Sequence, residues 1–168
     1  LFDGVDQNVS IPLNSSYDFG TNDFSVSYFY DAKSALGINS MISLYVSSSI
    51  SFQIRGYSTA NQYQLIMNPS NRTIIGGATY RFSGSNSSIL NKKNHITVNK
   101  VGANFEFYVN SEKLILDTSI NGILDTDEFN LSSGNLVVGA AESGGSAPTN
   151  ITASNVLVFD TSCSGADI

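Results

Sequence analysis

The sequence predicts an all-β domain, an antiparallel sandwich or barrel, on three observations. Apolar and polar side chains alternate with period two along many short stretches, clusters of Gly, Asn, Ser and Asp separate those stretches, and no stretch has an apolar stripe at helical spacing. The first clear strand is 24–30, where Phe24, Val26, Tyr28 and Tyr30 share one face and Ser25 and Ser27 the other. Residues 41–46 follow. In 50–55, Ile50, Phe52 and Ile54 point inward and Ser51, Gln53 and Arg55 outward. Further strands are expected at 62–67, 72–82, 94–100, 104–110, 113–116, 135–140 and 151–159. The stretch 117–131 contains Gly122 and several Asp, has no apolar stripe, and is read as a connection rather than a helix. The polar runs 83–88 and 142–148 read as loops between strands, where ligand contacts on all-β scaffolds usually lie.

Composition fits one such domain. The 168 residues include 27 Ser and 18 Asn but only 13% charged residues, so uncharged polar groups must cover the surface. Ten Phe and eight Tyr rule out a disordered chain. A net charge of −6 repels phosphate backbones and anionic lipid, which argues against nucleic acid and membrane surfaces as partners. No apolar run approaches the roughly 20 residues needed to span a bilayer. The chain begins at Leu1 and carries no signal peptide, so it reads as a processed product or a domain excised from a larger protein. Cys163 is the only cysteine, which leaves the redox compartment open.

Several segments, in order, resemble one family. Phe2-Asp3-Gly4-Val5-Asp6-Gln7-Asn8-Val9-Ser10-Ile11-Pro12 is similar to the opening of LamG-like (laminin G-like) domains of the concanavalin A-like lectin/glucanase superfamily. Asp23-Phe24-Ser25-Val26-Ser27 resembles the next strand of that family, Asn94-His95-Ile96-Thr97-Val98 its His-containing strand, and Phe105-Glu106-Phe107-Tyr108-Val109-Asn110 the strand after it. Leu136-Val137-Val138-Gly139, Asn155-Val156-Leu157-Val158-Phe159 and the final Ser164-Gly165-Ala166-Asp167-Ile168 complete the series. Three departures stand out: Lys93 replaces the usual aromatic, Asn94 the first of two His, and Ser154-Asn155 an acidic pair. The chain also lacks Trp. The resemblance implies a two-sheet antiparallel jelly roll, concanavalin A-like, with one concave face, used as a binding module within a larger protein.

Chemistry is sparse. Retaining glucanases of that superfamily need two Glu on one strand about 5 Å apart, and Glu106, Glu112, Glu128 and Glu142 are too scattered for that. His95, the only histidine, has no Gly-x-Ser-x-Gly elbow to serve and is expected to be hydrogen-bonded within the sandwich. The domain is therefore expected not to be an enzyme. One His and one Cys do not make a zinc site. Calcium is the one cofactor suggested, in a structural role. The segment from Asp117 to Glu128 nearly spells an EF-hand loop, but Ile120 sits at a normally polar place and strands flank it where helices belong. Asp125, Asp127 and Glu128 remain as an acidic cluster able to hold a hard cation in another geometry, and Asp3 is a separate candidate. Six Asn-x-Ser/Thr sequons start at Asn8, Asn14, Asn71, Asn86, Asn130 and Asn150, against about 4 expected by chance, so they license no claim of glycosylation.

For ligand binding, Tyr57, Tyr63, Tyr80 and Tyr108 could stack on sugar rings, with Gln53, Arg55, Arg81 and Glu106 as hydrogen-bonding neighbours. The expectation is a non-catalytic module that recognises a glycan or protein surface, carried extracellularly or at a cell surface. The alternative is a structural or assembly domain, such as a decoration or fibre segment on a virion surface or a cell-surface layer, that forms a homo-oligomer or attaches to a larger assembly.

Overall fold

The computed structural model describes residues 9–32, 38–47, 49–57, 62–84, 92–139 and 151–163. Its first strands are β1 (Val9–Pro12), β2 (Asp18–Gly20), β3 (Phe24–Ala32), β4 (Ile38–Ser47), β5 (Ile50–Tyr57), β6 (Gln62–Asn68) and β7 (Ala78–Ser83). The rest are β8 (Lys93–Val101), β9 (Asn104–Val109), β10 (Glu112–Lys113), β11 (Ile115–Ile120), β12 (Phe129–Asn130), β13 (Asn135–Val138) and β14 (Ile151–Phe159). The one helical turn among the described residues, Ser15–Tyr17, is capped by Asn14, whose side-chain oxygen accepts from the Ser16 N–H.

Two antiparallel sheets face each other. One has seven strands in the order β1-β13-β4-β5-β6-β7-β11, and the other five in the order β10-β9-β8-β3-β14. A small β12-β2 pair closes one end. Both sheets turn one side of their alternation inward. From the seven-stranded sheet come Ile42, Leu44, Phe52, Ile54, Leu65, Met67 and Phe82, and from the five-stranded sheet Phe24, Val26, Tyr28, Ile96, Val98 and Phe107. Aromatic rings knit the layers together. Phe24 stacks on Phe19 at 4.5 Å and meets Phe52 edge-on at 5.3 Å, and Phe107 lies 5.4 Å from Phe82. Each such pair adds about 0.5–1.5 kcal/mol to the burial of its rings.

Three boundaries differ from the sequence expectation for local reasons. The stretch 72–82 becomes a strand only from Ala78, because Gly76 and Gly77 both adopt positive φ and make a turn no extended strand can contain. Residues 113–116 split at Leu114, and β11 then runs on to Ile120 through what was expected to be a connection. Asn110 and Ser111, both at positive φ, turn β9 back into β10 as a two-residue hairpin loop.

Candidate functional site

Alternation assigns an outward face to each sheet. On the seven-stranded sheet, the register Arg55↔Gln64↔Arg81 runs across β5, β6 and β7, and Val137↔Ser43↔Gln53↔Ile66↔Thr79 forms the parallel row beside it. These positions point away from the core, yet Ser43 is 0% and Gln64 4% exposed. Arg55 donates from Nε (3.2 Å) and Nη2 (2.5 Å) to the Gln53 side-chain oxygen. At the β11 edge, Asp117 accepts from Ser83 Oγ at 2.8 Å and from the Gln62 amide at 3.3 Å. Ser43 Oγ and Gln64 Oε1 are buried without any hydrogen-bond partner. An unmet polar atom out of reach of water costs about 1–3 kcal/mol, and the core hydroxyls of Tyr30 and Tyr63 are in the same state.

The structure separates the residues expected to bind a ligand. Gln53, Arg55 and Arg81 share the outward face just described, and Gln64, missing from the sequence expectation, lies between the two arginines. Tyr63 and Tyr80 are corrected: both point into the core and cannot stack on a sugar. Tyr63 packs on Phe107 at 4.8 Å, and Tyr80 meets Phe105 edge-on at 5.3 Å while its hydroxyl accepts from the Ile123 N–H. Parity explains this, because Tyr63 adjoins Gln64 and Tyr80 adjoins Arg81, and neighbours on a strand face opposite ways. Glu106 and Tyr108 are on β9, on the outward face of the other sheet, so they cannot join Gln53 and the arginines in one site. There Lys113 pairs with Glu106, holding its carboxyl below the ordinary range, and Tyr108 donates to the same carboxylate at 3.0 Å. The Tyr57 side chain and Asp3 lie outside the described residues.

The acidic cluster does not assemble as a cation site. Asp127 is buried and bridged by Arg72, whose Nε donates to Oδ1 at 2.8 Å and whose Nη2 donates to Oδ2. The Leu124 N–H also donates to Oδ2, at 2.9 Å. Arg72 therefore supplies the positive charge that a metal would have brought, and it holds the Asp127 carboxyl below its usual range. Glu128 instead accepts from the Asn130 amide at 3.0 Å, and Asp125 is exposed beside Gly102. Among the described residues, no group of three His, Cys, Asp or Glu is placed to hold a metal ion. Close by, Lys100 is buried, its ammonium donating to the carbonyls of Thr21 (2.9 Å) and Asn22 (3.2 Å). Burial pulls the pKa of Lys100 down, with Asp23, Asp125 and Asp127 opposing.

His95 is not inside the sandwich. It stands on the outward face of the five-stranded sheet, its Nε2 2.8 Å from Ser27 Oγ and its ring stacked on Phe29 at 4.8 Å. Lys93 lies over the other aromatic partner, its ammonium 4.7 Å from the Phe29 ring centre.

No protein-family model matches the chain, and no curated protein matches it in sequence. Solved structures do match its shape. A Trypanosoma rangeli sialidase in complex with sialic acid superposes with a TM-score of 0.67 at 13% identity, over 98% of this chain and 26% of that one. Mouse laminin alpha1 chain domains LG4-5 superpose with a TM-score of 0.62 at 9% identity, over 96% and 44%. A structure of HCR/D-Sa-GBL1/C gives 0.64 at 18% identity, over 95% and 38%. The chain thus spans about a quarter of the sialidase and under half of the other two. Its fold is a concanavalin A-like jelly roll. The matched set includes a sialidase and laminin domains, at identities that show the fold alone.

Proposed function

We propose that this domain is a non-catalytic recognition module, extracellular or at a cell surface, that binds a glycan through the outward face of its seven-stranded sheet. The observation behind this reading is the outward polar row in which Gln64 lies between Arg55 and Arg81 across three strands, with Gln53 bonded to Arg55 beside it. Sugar hydroxyls both donate and accept. They can meet guanidinium donors and amide groups on the same face, which an apolar partner cannot. The sialic acid held by the similar sialidase supports a sugar as the ligand class. Absence of catalysis is supported by the engagement of Glu106 with Lys113 and of Glu128 with Asn130, which leaves neither as one of a carboxylate pair. A glycan array read beside a protein pull-down tests the proposal. Binding to glycans that weakens on Gln64→Leu is expected, whereas an empty array with a protein captured in the pull-down would replace the glycan by a protein surface.

One observation favours assembly as a second reading. β1 and β11 end the same sheet on opposite sides, and each exposes apolar side chains, Val9 and Ile11 on one and Ile115, Leu116 and Ile120 on the other. Strand edges can pair with another copy, and here Pro12 on β1 and Asp117 at the β11 bulge leave the flanking apolar residues as the contact surface. Light scattering of the purified domain separates the readings: a stable oligomer favours the structural role, a monomer the recognition module.

A further inference from the structure

A cleft of about 460 Å³ opens on the sheet opposite the proposed glycan face. Its floor is a chain of side chains from two neighbouring strands: His95 Nε2 lies 2.8 Å from Ser27 Oγ, which lies 3.2 Å from Thr97 Oγ1. Its wall is Leu157 and Phe159 of β14, and Thr161, Ser162 and Cys163 close one end. That end is fixed to the sheet, because Ser25 Oγ donates to the Thr161 carbonyl and accepts from the Cys163 N–H while Asn99 donates to the Cys163 carbonyl. The cleft is therefore a built feature rather than a gap beside a loose end.

The apolar wall exists because of a backbone irregularity. In β14 the register passes from Ser154↔Phe29 to Leu157↔Ser27, so Asn155 and Val156 together oppose one residue of β3, and Asn155 takes φ +52°. This bulge reverses the alternation of the strand. Beyond it Val158 pairs with Val26 and packs against the core, while Leu157 and Phe159 turn outward, 52% and 38% exposed. The bulge thus spends a strained residue to aim two large apolar side chains at a hydrogen-bonding floor instead of burying them.

We infer that this cleft is a binding site for an uncharged pyranose ring, whose C–H face lies on Phe159 and Leu157 and whose hydroxyls meet the Ser27, His95 and Thr97 floor. Among the described residues, no acid, lysine or arginine lines the cleft, which favours an uncharged ligand. The floor is a relay that runs either way. When Nε2 accepts from Ser27, Thr97 donates to Ser27; when Nε2 carries the proton, Ser27 donates to Thr97, whose hydroxyl then donates into the cleft. A hydroxylated ring can answer both directions, and its apolar face fits an aromatic wall. The volume falls within the range of small-molecule sites and leaves room for one ring with water.

The chain supplies its own reporters. His95 is the only histidine and Cys163 the only cysteine. Titration of the 168-residue chain with methyl β-D-glucopyranoside, methyl β-D-galactopyranoside and methyl α-D-mannopyranoside is followed by the His95 Cε1 proton in NMR spectra and by the rate of Cys163 alkylation with iodoacetamide. At least one of them is expected to shift the His95 signal saturably and slow alkylation over the same concentration range. Phe159→Ala should weaken that binding about tenfold, and Thr97→Val severalfold, with each variant's melting temperature recorded so that lost contact is separated from lost stability. Gln64→Leu, on the other sheet, should leave it unchanged, so failure of this site and failure of the glycan face are read separately. Absence of a saturable shift with all three glycosides, or a shift that survives Phe159→Ala at full affinity, would overturn the assignment.

Discussion

Two regions of this domain bury polar groups in opposite states. At the end of the sandwich, Asp127 meets Arg72 and the Leu124 N–H, the Tyr80 hydroxyl takes the Ile123 N–H, and the Lys100 ammonium meets two carbonyls. On the outward face of the seven-stranded sheet, Ser43 Oγ and Gln64 Oε1 have no partner. The first region uses its polar groups to hold chain segments together; the second leaves two of them unpaired. A buried group already satisfied stabilises the fold, and one left unsatisfied lowers stability until something binds.

The two regions should respond to substitution with opposite signs. Removing Asp127 has the largest effect, because Asp127→Ala strips Arg72 and the Leu124 N–H of their shared acceptor. A loss of about 3 kcal/mol is expected in urea unfolding, with glycan binding retained. The same carboxyl sets an acid limit. Its pKa is lowered mainly by Arg72, so its stabilisation is complete above the ordinary carboxylate value of about 4 and is lost as pH falls through the lower folded value. Melting temperature recorded against pH should fall in that acid window, and Asp127→Asn should flatten the fall. Tyr80→Phe removes one acceptor from the Ile123 N–H and should cost about 1–2 kcal/mol in the same unfolding assay. Gln64→Leu should instead gain up to about 1 kcal/mol, since it deletes an acceptor that nothing in the unliganded domain satisfies. Ser43→Ala has the smallest effect, a few tenths of a kcal/mol in the stabilising direction. A loss in either of these last two variants would erase the contrast.

Much of the architecture was legible in the sequence because period-two alternation reports which residues share a face. Phe24, Val26, Tyr28 and Tyr30 line up inward as read, and Gln53 and Arg55 outward. Alternation does not report which sheet a strand joins, so Glu106 and Tyr108 were grouped with residues that lie on the opposite side of the sandwich. Nor does it survive a bulge. The turn of Leu157 and Phe159 away from the core depends on Asn155, and nothing in Asn-Val-Leu-Val-Phe announces where the extra residue falls. Residue type suggests Tyr63 and Tyr80 as stacking partners, whereas parity with the outward Gln64 and Arg81 beside them turns both inward. The signal for Gln64 was present in the pairing of β5 with β6, where outward amides and an arginine meet across the hairpin. For Asp127, proximity in sequence to Asp125 and Glu128 suggested a shared cation, whereas its partner Arg72 is 55 residues away and reaches it only in the folded chain.

The account rests on Gln64 serving the proposed glycan face, between Arg55 and Arg81, rather than the stability of the fold. A glycan array probed side by side with the wild-type domain and Gln64→Leu, with the melting temperature of each recorded, tests this most directly. The account predicts that the variant melts at or above the wild-type temperature and loses the glycan signal. A variant that binds as well as wild type, or one that loses binding only because it melts lower, would contradict it.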